Sequence, residues 1–426
     1  MKTIVAALAA VILAGTAVPA WSQDKVTFTI ISHKVHENVA RGLVAGTTGG
    51  DIVADWAERN NVEINWITAG IDPLHDRLFR ELALRETEID LAFVIDKYMT
   101  PRMTSMLEPL DAYMESAPVE HFDDIPPNLL AATRHGDSLV AIPYRHSTGG
   151  NHWNVELFAE AGLDHAPTTR DELIEYARKL TTTRPDGTRV NGYIGNFGEG
   201  YGAAYGLLGL YGVKLFGDDL SVHADTPEMV EGLTMLAQLY KEGVLPSNYA
   251  TIGIDEVGAA IMDGRAAMTA GPFARYTVYN NPETSRYAGK IRVALNPQAL
   301  MENPLLNTEI WSMAIPANST KKDLAWSLIQ ELSTRENTLR AALNGNSPVR
   351  VNTYEDERYK AVYPYTAEEA QALSNASVLP SFDTSPQAWS IFAEEVQAAV
   401  IGLKSPEDAA RSMQERIEPL VANLQR

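Results

Sequence analysis

The chain of 426 residues contains no cysteine and carries a formal net charge of −20 at pH 7. The absence of cysteine excludes disulfide bonds, thiolate metal sites, a cysteine nucleophile and a lipid-modified N-terminal cysteine. The strong negative charge argues against nucleic acids and anionic membrane surfaces as partners, because both repel an acidic protein. The length exceeds what one hydrophobic core usually holds, so we expect two lobes.

The first 22 residues are typical of a secretory signal peptide. Lys2 supplies a positive charge, residues 4–18 form a short apolar stretch, and Ala20 and Ser22 are the small residues of a cleavage site, so the mature chain is expected to begin near Gln23. An uncleaved anchor is the alternative, but the apolar stretch is too short to span a bilayer. Without a cysteine to lipidate, the exported protein is expected to be released into a Gram-negative periplasm.

Strands and helices are predicted to alternate, a pattern typical of α/β folds with mostly parallel sheets covered by helices. The predicted strands are apolar runs that begin at Val26, Val62, Ile89, Leu139, Ala266, Ile291 and Ser312. Helix starts are predicted from N-cap signals at Thr169 with Glu172, Thr226 with Pro227, Ser319 or Thr320, and Ser405 with Pro406. No long flexible linker separates the two expected lobes, so the chain is expected to cross between them several times.

Histidines follow two of the predicted strands. His33 and His36, together with Glu37, come after the first strand, and His75 comes after the second. Loops at the carboxyl ends of parallel strands are where ligands bind in open α/β sheets. Three interpretations stay open: a polar wall of a binding cleft, a metal site whose spacing matches no standard ligand set, and an ordinary surface.

Two glycine-rich segments fall in predicted loops. Residues 46–50 precede a predicted helix and form either an anion-binding loop or a plain loop in which a threonine or Asp51 caps that helix. Residues 198–202 do not match the dinucleotide fingerprint. They form either a flexible surface loop or an aromatic cleft loop that includes Tyr201.

The standard catalytic signatures are absent from the chain: it has no G-x-S-x-G, no H-E-x-x-H and no G-x-x-x-x-G-K-[ST] sequence. A glycosidase would need two carboxylates on opposite sides of one bond, with Asp72 and Asp96 as the candidates. Nothing in the sequence supports such a pair. We therefore predict a protein that is not an enzyme and that uses no cofactor and no metal.

Four segments stand in a fixed order along most of the chain: IDLAFVIDKY from Ile89, LVAIPYRHSTGGNHWNVELFAEAGLD from Leu139, DEVGAAIMDGRAAMTAGPFARY from Asp255, and EIWSMAIPANSTKKDLAWSLIQELST from Glu309. Together they resemble the extracellular solute-binding proteins of ABC importers, in the sugar-binding group that includes maltose-binding protein. The resemblance implies a two-lobed periplasmic binding protein fold (type II), in which each lobe is a mostly parallel sheet flanked by helices. It places residues 24–134 and 285–333 in lobe 1, and 138–280 and 334–426 in lobe 2.

The resemblance also implies where the cleft residues lie. An acidic or aromatic residue faces the ligand after the third strand, and polar residues follow the Pro-Tyr pair at the first crossing between lobes. Phe273 replaces a family tryptophan that stacks on a sugar. With the loops discussed above, the expected site residues are His33, Glu37, Asp72, Asp96, Tyr98, Arg145, His146, Tyr201, Phe273, Trp311 and Arg350. Two of them have plain alternatives: Asp96 as a solvated surface charge and Trp311 as a core residue.

The sequence therefore predicts a monomeric periplasmic protein that captures a carbohydrate or sugar derivative in an interlobe cleft and delivers it to the membrane permease of an ABC importer. A polyamine, an amino-acid derivative or a metal chelate remains an alternative ligand. The loop after the first strand is longer and richer in histidine than is usual in the family, which weakens the transfer of a specific ligand. The charge of the ligand also stays open, because the arginine fork of Arg145 or Arg350 suits an anion and vicinal hydroxyls alike.

Overall fold

The computed structural model describes residues 25–198, 200–422 and 424. The predicted signal peptide, residues 1–22, lies outside the described residues. Within them, no helix combines the length and the apolar composition that a membrane crossing requires.

Among the described residues, the strands in chain order are β1 (Val26–Ser32), β2 (Val62–Thr68), β3 (Leu91–Ile95), β4 (Arg134–His135), β5 (Ser138–Leu139), β6 (Ile142–His146), β7 (Gly149–Asn154), β8 (Thr182–Thr183), β9 (Arg189–Ile194), β10 (Ala266–Pro272), β11 (Ile291–Leu295), β12 (Leu306–Thr308), β13 (Ile310–Ala314) and β14 (Ala376–Val378).

The helices in the same residues are α1 (Lys34–Ala40), α2 (Ala54–Arg59), α3 (Ile71–Leu82), α4 (Pro101–Thr104), α5 (Asp111–Ser116), α6 (Pro127–Leu130), α7 (Val155–Glu160), α8 (Arg170–Leu180), α9 (Gly202–Gly209), α10 (Pro227–Lys241), α11 (Ile254–Met262), α12 (Arg275–Tyr279), α13 (Lys322–Leu332), α14 (Arg335–Leu343), α15 (Glu357–Val362), α16 (Thr366–Asn375), α17 (Ser385–Val400) and α18 (Pro406–Val421).

The first lobe is built on a sheet of five strands in the order β2-β1-β3-β13-β6. Strand β1 is parallel to both β2 and β3, whereas β13 is antiparallel to β3 and to β6. Strand β3 is buried along its whole length, as a central strand covered by helices on both faces should be. The reversed strand β13 begins at the edge of the sheet where β3 and β6 end.

The second lobe is built on a sheet in the order β11-β7-β10-β9-β8. Only β10 and β9 pair in parallel, and the other three pairings are antiparallel. The prediction of a mostly parallel sheet is therefore wrong for this lobe. The cause is the route of the chain: β7 enters directly from the first lobe, so it starts at the edge of the sheet where β9 and β10 end.

Two hydrophobic cores lie in the described residues, one beneath each sheet. The sheets and cores differ from the predicted lobe boundaries at several places, and Phe273, which was predicted in lobe 2, packs in the first core. Strand β6 pairs in the first sheet, β11 pairs in the second, and buried side chains from residues 339–376 pack in the first core. From Phe382 onward, the buried apolar side chains belong to the second core, which includes the apolar face of α17.

Three of the four predicted helix starts are confirmed. The side chains of Thr169, Thr226 and Ser405 each accept a hydrogen bond from the backbone N–H three residues later. The remaining helix, α13, begins after Lys321, slightly later than predicted; the Ser319 hydroxyl donates to Asp90 in the core and accepts from the backbone N–H of Lys321, the residue before the helix.

The glycine-rich loop before α2 is filled by protein atoms. Asp51 Oδ1 accepts hydrogen bonds from the backbone N–H groups of Val53 (3.0 Å) and Ala54 (2.9 Å), as expected of a plain capped loop. The Nε of Arg340 donates to the carbonyl of Gly49 (2.9 Å), and a Cβ at Gly49 would lie 1.9 Å from the Arg340 carbonyl oxygen. The close approach of α14 accounts for the glycine and favours the plain loop over an anion site.

Two chain segments tie the lobes together where they cross, residues 146–149 between β6 and β7 and residues 307–310 at the start of β13. Ser147 N–H donates to the Glu309 carbonyl at 2.8 Å, and the hydroxyl of the buried Thr148 donates to the hydroxyl of Thr308 at 2.8 Å. We call these two segments the crossing segments. They fix the carboxyl end of β6 beside the amino end of β13.

A buried polar network lies behind the crossing segments. His146 is fully buried and faces the core: its Nε2–H donates to the Tyr354 hydroxyl at 2.7 Å, and its Nδ1 accepts from Thr148 N–H at 3.2 Å. The prediction of His146 as a cleft residue is therefore wrong. Glu369 lies 3.6 Å from the same ring and accepts a hydrogen bond from Tyr359. Burial lowers the pKa of His146 to about 3 and raises that of Glu369 to about 7.

Glu369→Gln should remove a pH dependence of stability. The folded-state pKa of about 7 lies above the ordinary value of 4.5, so the folded state binds this proton more tightly than the unfolded state. The stabilisation is full below the unfolded pKa and is lost as the pH rises through the folded pKa. Between about pH 5 and pH 8, the free energy of unfolding of the wild type should fall relative to that of the variant by roughly 2–3 kcal/mol, measured by urea denaturation.

The control is Glu368→Gln, on the same helix but only half-buried. It should follow the wild type across the whole pH range. Parallel stability curves for the wild type and Glu369→Gln would show that Glu369 does not titrate in this range.

Candidate binding cleft

A cleft of about 1110 Å³ lies between the two lobes and is lined by residues from both. The first lobe contributes side chains from the carboxyl ends of β3 and β6 and from the amino end of β13. The second contributes residues that follow β9 and β10. Strand ends from both sheets therefore border the same cleft. Strand ends are where ligands bind in α/β sheets. The polar and aromatic side chains used below are Asp96, Lys97, Arg145, Glu309 and Trp311 from the first lobe, and Tyr201 and Arg275 from the second.

Trp311 forms part of the floor of the cleft. It pairs with Arg145 across the β13–β6 ladder, and only 5% of its surface is exposed. Its ring contacts the rings of His36 (4.6 Å between centroids), His75 (5.6 Å) and His33 (6.1 Å). Trp311 was interpreted as either a core residue or a cleft residue. In the structure it packs in the core and also lines the cleft.

The histidines after the first two strands support this floor. His75 Nδ1–H donates to the Ile71 carbonyl (2.6 Å), Nε2 accepts from Ile95 N–H (3.2 Å), and burial lowers the pKa of His75 to about 4. His36 is fully buried and stacks on Phe93 at 4.6 Å, and burial holds its pKa well below the ordinary value. His33 lines the cleft and caps α1. Among the described residues, no group of three or more His, Asp or Glu side chains is arranged to hold a metal ion.

Asp96 and Glu309 form a carboxyl pair at the edge of the cleft. Asp96 Oδ1 accepts a hydrogen bond from Ile310 N–H at 2.8 Å, which holds it beside Glu309. Burial raises the pKa of both carboxyl groups; Glu309 raises that of Asp96 further, and Lys97 opposes the rise in both. Each carboxyl group is therefore biased towards its protonated form, in which it can both donate to and accept from ligand hydroxyls.

Arg145 and Arg275 supply positive charge to the cleft from opposite lobes. Among the described residues, neither forms an ion pair, and the Nε of Arg145 is buried without a hydrogen-bond partner. Burial, and then repulsion from Arg275, lower the pKa of Arg145 to about 10, so it stays charged at neutral pH. The guanidinium group is thus available to a ligand.

Tyr201 lies on the second-lobe wall of the cleft, as the aromatic-loop interpretation of residues 198–202 expected. Its ring stacks on Trp389 with 4.1 Å between centroids. Burial, together with the carboxyl groups of Glu309 and Asp96 across the cleft, raises the pKa of Tyr201 well above its ordinary value. The hydroxyl therefore stays protonated and can donate a hydrogen bond.

Asp72 lines the cleft at the start of α3, and the Tyr98 hydroxyl donates to it at 2.7 Å. The Tyr98 ring stacks on His75 at 4.0 Å, so Tyr98 acts on the cleft through Asp72 and His75. Of the eleven expected site residues, six line the cleft: His33, Asp72, Asp96, Arg145, Tyr201 and Trp311.

Three further expected residues lie elsewhere. Glu37 forms ion pairs with Lys34 (2.5 Å) and Arg41 (2.7 Å) on α1. The fully buried Phe273 packs in the first core. Arg350 is also fully buried and is used up by protein acceptors: Asp124 at 3.1 Å and the backbone carbonyls of residues 120 and 121. Burial and complete pairing leave none of these side chains free to contact a ligand.

Sequence reasoning missed Lys97, Arg275 and Glu309. Arg275 stands two residues after Phe273, inside a segment already recognised as similar to the family. Glu309 stands two residues before Trp311, at the point where the chain returns to the first lobe. The usable signal was position alone: each is a charged residue within four residues of the end of a predicted strand.

The model of the bacterial extracellular solute-binding protein family matches residues 42–338, and the chain belongs to this family. The probable amino-acid ABC transporter periplasmic-binding protein of Sinorhizobium fredii is 23% identical and covers 98% of this chain and 97% of its own length. The erythritol/L-threitol-binding protein of Mycolicibacterium smegmatis is 24% identical over 72% of this chain and 69% of its own.

Solved structures share the two-lobed fold. A solute-binding protein of Agrobacterium radiobacter in complex with ribitol superposes with a TM-score of 0.79 at 20% identity, covering 93% of this chain and 99% of that one. The maltose-bound MalE3 protein of T. maritima gives a TM-score of 0.78 at 23% identity, with 93% and 100% coverage. The predicted two-lobed periplasmic binding protein fold is confirmed.

Trp311→Ala should lower stability as well as ligand affinity, because the side chain is 5% exposed and contacts three imidazole rings. Truncating a buried aromatic costs about 3–5 kcal/mol of unfolding free energy. Urea denaturation measures this loss, with Trp311→Phe, which keeps a ring, as the milder control. An unchanged denaturation midpoint for Trp311→Ala would contradict the packing described.

Proposed function

We propose that this protein captures a carbohydrate or polyol in the cleft between its lobes and delivers it to the permease of an ABC importer. The observation that carries the proposal is the composition of the cleft. A carboxyl pair, an arginine from each lobe and aromatic side chains surround one solvent-accessible space. Relatives and structural neighbours whose names include erythritol, ribitol or maltose support the ligand class.

The chemistry of the cleft suits a polyhydroxylated ligand. Asp96 and Glu309 can each bond to hydroxyl groups, and the planar fork of Arg145 can donate to two vicinal oxygens. The aromatic edge of Trp311 offers apolar surface to the C–H groups of such a ligand, whose hydroxyls stay free to bond to polar neighbours. Every one of these contacts is non-covalent, as a transport role requires.

Contacts from both lobes would make the closed arrangement the favoured state when ligand is bound. A ligand shifts such an equilibrium only by the difference in its affinity for the two states, and residues such as Arg275 and Tyr201 add contacts only when their lobe is close. The permease would then distinguish loaded from empty protein by shape. Capture of the ligand in the periplasm is consistent with the signal-like sequence of residues 1–22 and with the family to which the chain belongs.

An amino-acid derivative is the second candidate. It is favoured by the presence of both acidic and basic groups in the cleft and by the name of the Sinorhizobium fredii relative. A zwitterion would place its ammonium group near Asp96 and Glu309 and its carboxylate near the arginines. The two candidates differ in the compounds that stabilise the protein.

The proposal is tested by thermal unfolding of the mature protein against a panel of polyols, mono- and disaccharides, amino acids and polyamines, after denaturation and refolding to remove bound ligand. A ligand present at 100 times its Kd should stabilise the protein by about 2.7 kcal/mol. We expect the largest rise in Tm with a sugar or polyol derivative. Stabilisation by amino acids or polyamines alone would contradict the carbohydrate proposal. Mass spectrometry of the compound released by the first denaturation identifies the ligand independently.

A further inference from the structure

Building on the proposed function, we propose that the carbohydrate ligand carries an oxyanion group, such as a carboxylate or a phosphate, and that Arg145 and Arg275 hold this group between the lobes. The ligand class is then a sugar acid or a sugar phosphate rather than a neutral sugar. The fold brings the two arginines together, neither forms an ion pair within the described residues, and other charged groups surround them.

The backbone places the two arginines beside each other. Arg145 is the next-to-last residue of β6, and three residues later the Thr148 carbonyl accepts a hydrogen bond from Phe273 N–H at 3.3 Å. Arg275 follows two residues after Phe273, at the first position of α12. The pairing of Gly149 with Pro272 continues the same register. Both side chains line the cleft, one from each lobe.

Other arginines in the structure show what a structural role looks like. Arg350 and Arg335 share Asp124, and Arg416 pairs with Glu394 and Glu395. In contrast, among the described residues Arg145 and Arg275 have no ion pair, and the buried Nε of Arg145 has no acceptor. A buried donor without an acceptor costs free energy, and two like charges side by side add to that cost. An acceptor supplied by the ligand removes both costs.

The carboxyl groups nearest Arg145 are poor counterions. Those that act on it are Glu369 behind the crossing segments and Glu309 in the cleft, and burial raises the pKa of both. Lys97 adds a third positive charge beside the Asp96–Glu309 pair. The cleft thus places three basic side chains beside the carboxyl groups of Asp72, Asp96 and Glu309, in a protein whose formal net charge is −20.

The order of groups along the cleft orients the ligand. Across the first sheet, Asp96 follows β3, Glu309 precedes β13 and Arg145 lies on β6, in the spatial order β3-β13-β6. Arg275 extends this row into the second lobe. The hydroxyl-bearing part of the ligand would lie against the carboxyl pair and Trp311, and its oxyanion would lie at the arginine end, where the fork geometry of guanidinium matches two oxygens.

The test is isothermal titration of the mature protein with matched pairs: galactose with galacturonate, glucose with glucuronate, and glucose with glucose 6-phosphate. We expect one anionic member to bind at least about tenfold more tightly than its neutral partner, and the advantage to shrink as salt is added, because hydrogen bonds to charged groups are the stronger ones. The carboxylate and phosphate arms distinguish the two oxyanions. Inorganic phosphate alone should bind far more weakly.

Substitutions of the two arginines test whether they contact the oxyanion of the ligand. Arg145→Gln and Arg275→Gln should each lower the affinity for the anionic compound by roughly 10- to 100-fold while changing that for its neutral partner by less. Arg286→Gln, which removes the same charge from an exposed site outside the cleft, should leave both affinities unchanged. Without ligand, an unfolding temperature of each variant at or above that of the wild type would exclude misfolding as the cause.

Two results overturn the inference and leave the proposed function intact: a neutral sugar that binds as tightly as its acid and its phosphate, or an anionic preference that survives both arginine substitutions. Failure of every sugar, sugar acid and sugar phosphate to bind would instead count against the proposed function, and the inference would fall with it. Tight binding of inorganic phosphate alone would also overturn the inference, since it would make the sugar part irrelevant.

Discussion

The hydrogen bonds between the two crossing segments are the constraint on which the rest of the structure depends. One bond joins the Ser147 N–H to the Glu309 carbonyl, and the other joins the Thr148 and Thr308 hydroxyls. They connect the segment in which the chain leaves the first lobe to the segment in which it returns. Because both routes pass the same point, Arg145 on one and Glu309 and Trp311 on the other meet on the first-lobe side of the cleft. The same bonds set the direction of β7 and β13, the strands that make both sheets mixed.

The polar groups of the cleft lower the stability of the folded protein when no ligand pairs with them. It holds a buried guanidinium atom without an acceptor, a second arginine whose charge repels that of Arg145, and carboxyl groups whose pKa values are raised by burial. Stable cores avoid such groups unless they are paired, as Arg350 is with Asp124. Residues that are unpaired in this way at a strand end are therefore better explained by a ligand than by folding, which is the physical basis for the assignment of the cleft.

The sequence predicted the parts of this arrangement that depend on local chemistry. Thr169, Thr226 and Ser405 cap helices because their hydroxyls can reach a free backbone N–H. Asp96 and Trp311 were recognised because they stand at strand ends within segments similar to the family. The helix caps needed only the spacing of residues along the chain, whereas Asp96 and Trp311 also needed the resemblance to the family.

The remaining errors depend on which way a side chain faces. Neighbouring residues on a strand point to opposite faces. Arg145 and His146 were both predicted to line the cleft. Because the Arg145 side chain lies in the cleft, that of His146 must face the core, where it forms a hydrogen bond with Tyr354. Arg350 was misplaced because its partner Asp124 is distant in sequence. Arg275 was overlooked because only the crossing of the chain brings it beside Arg145.

Closure of the two lobes on a ligand would shorten the distance between them, and this distance can be measured. The chain has no cysteine, so Asp76→Cys and Glu175→Cys, at exposed positions on α3 in the first lobe and α8 in the second, would carry the only two spin labels. Pulsed electron paramagnetic resonance would measure the label distance without ligand and with a saturating amount of the tightest-binding compound. The account predicts a shift of the distribution to shorter distances, because the ligand contacts both lobes. An identical distribution at saturation would contradict capture by closure of the cleft.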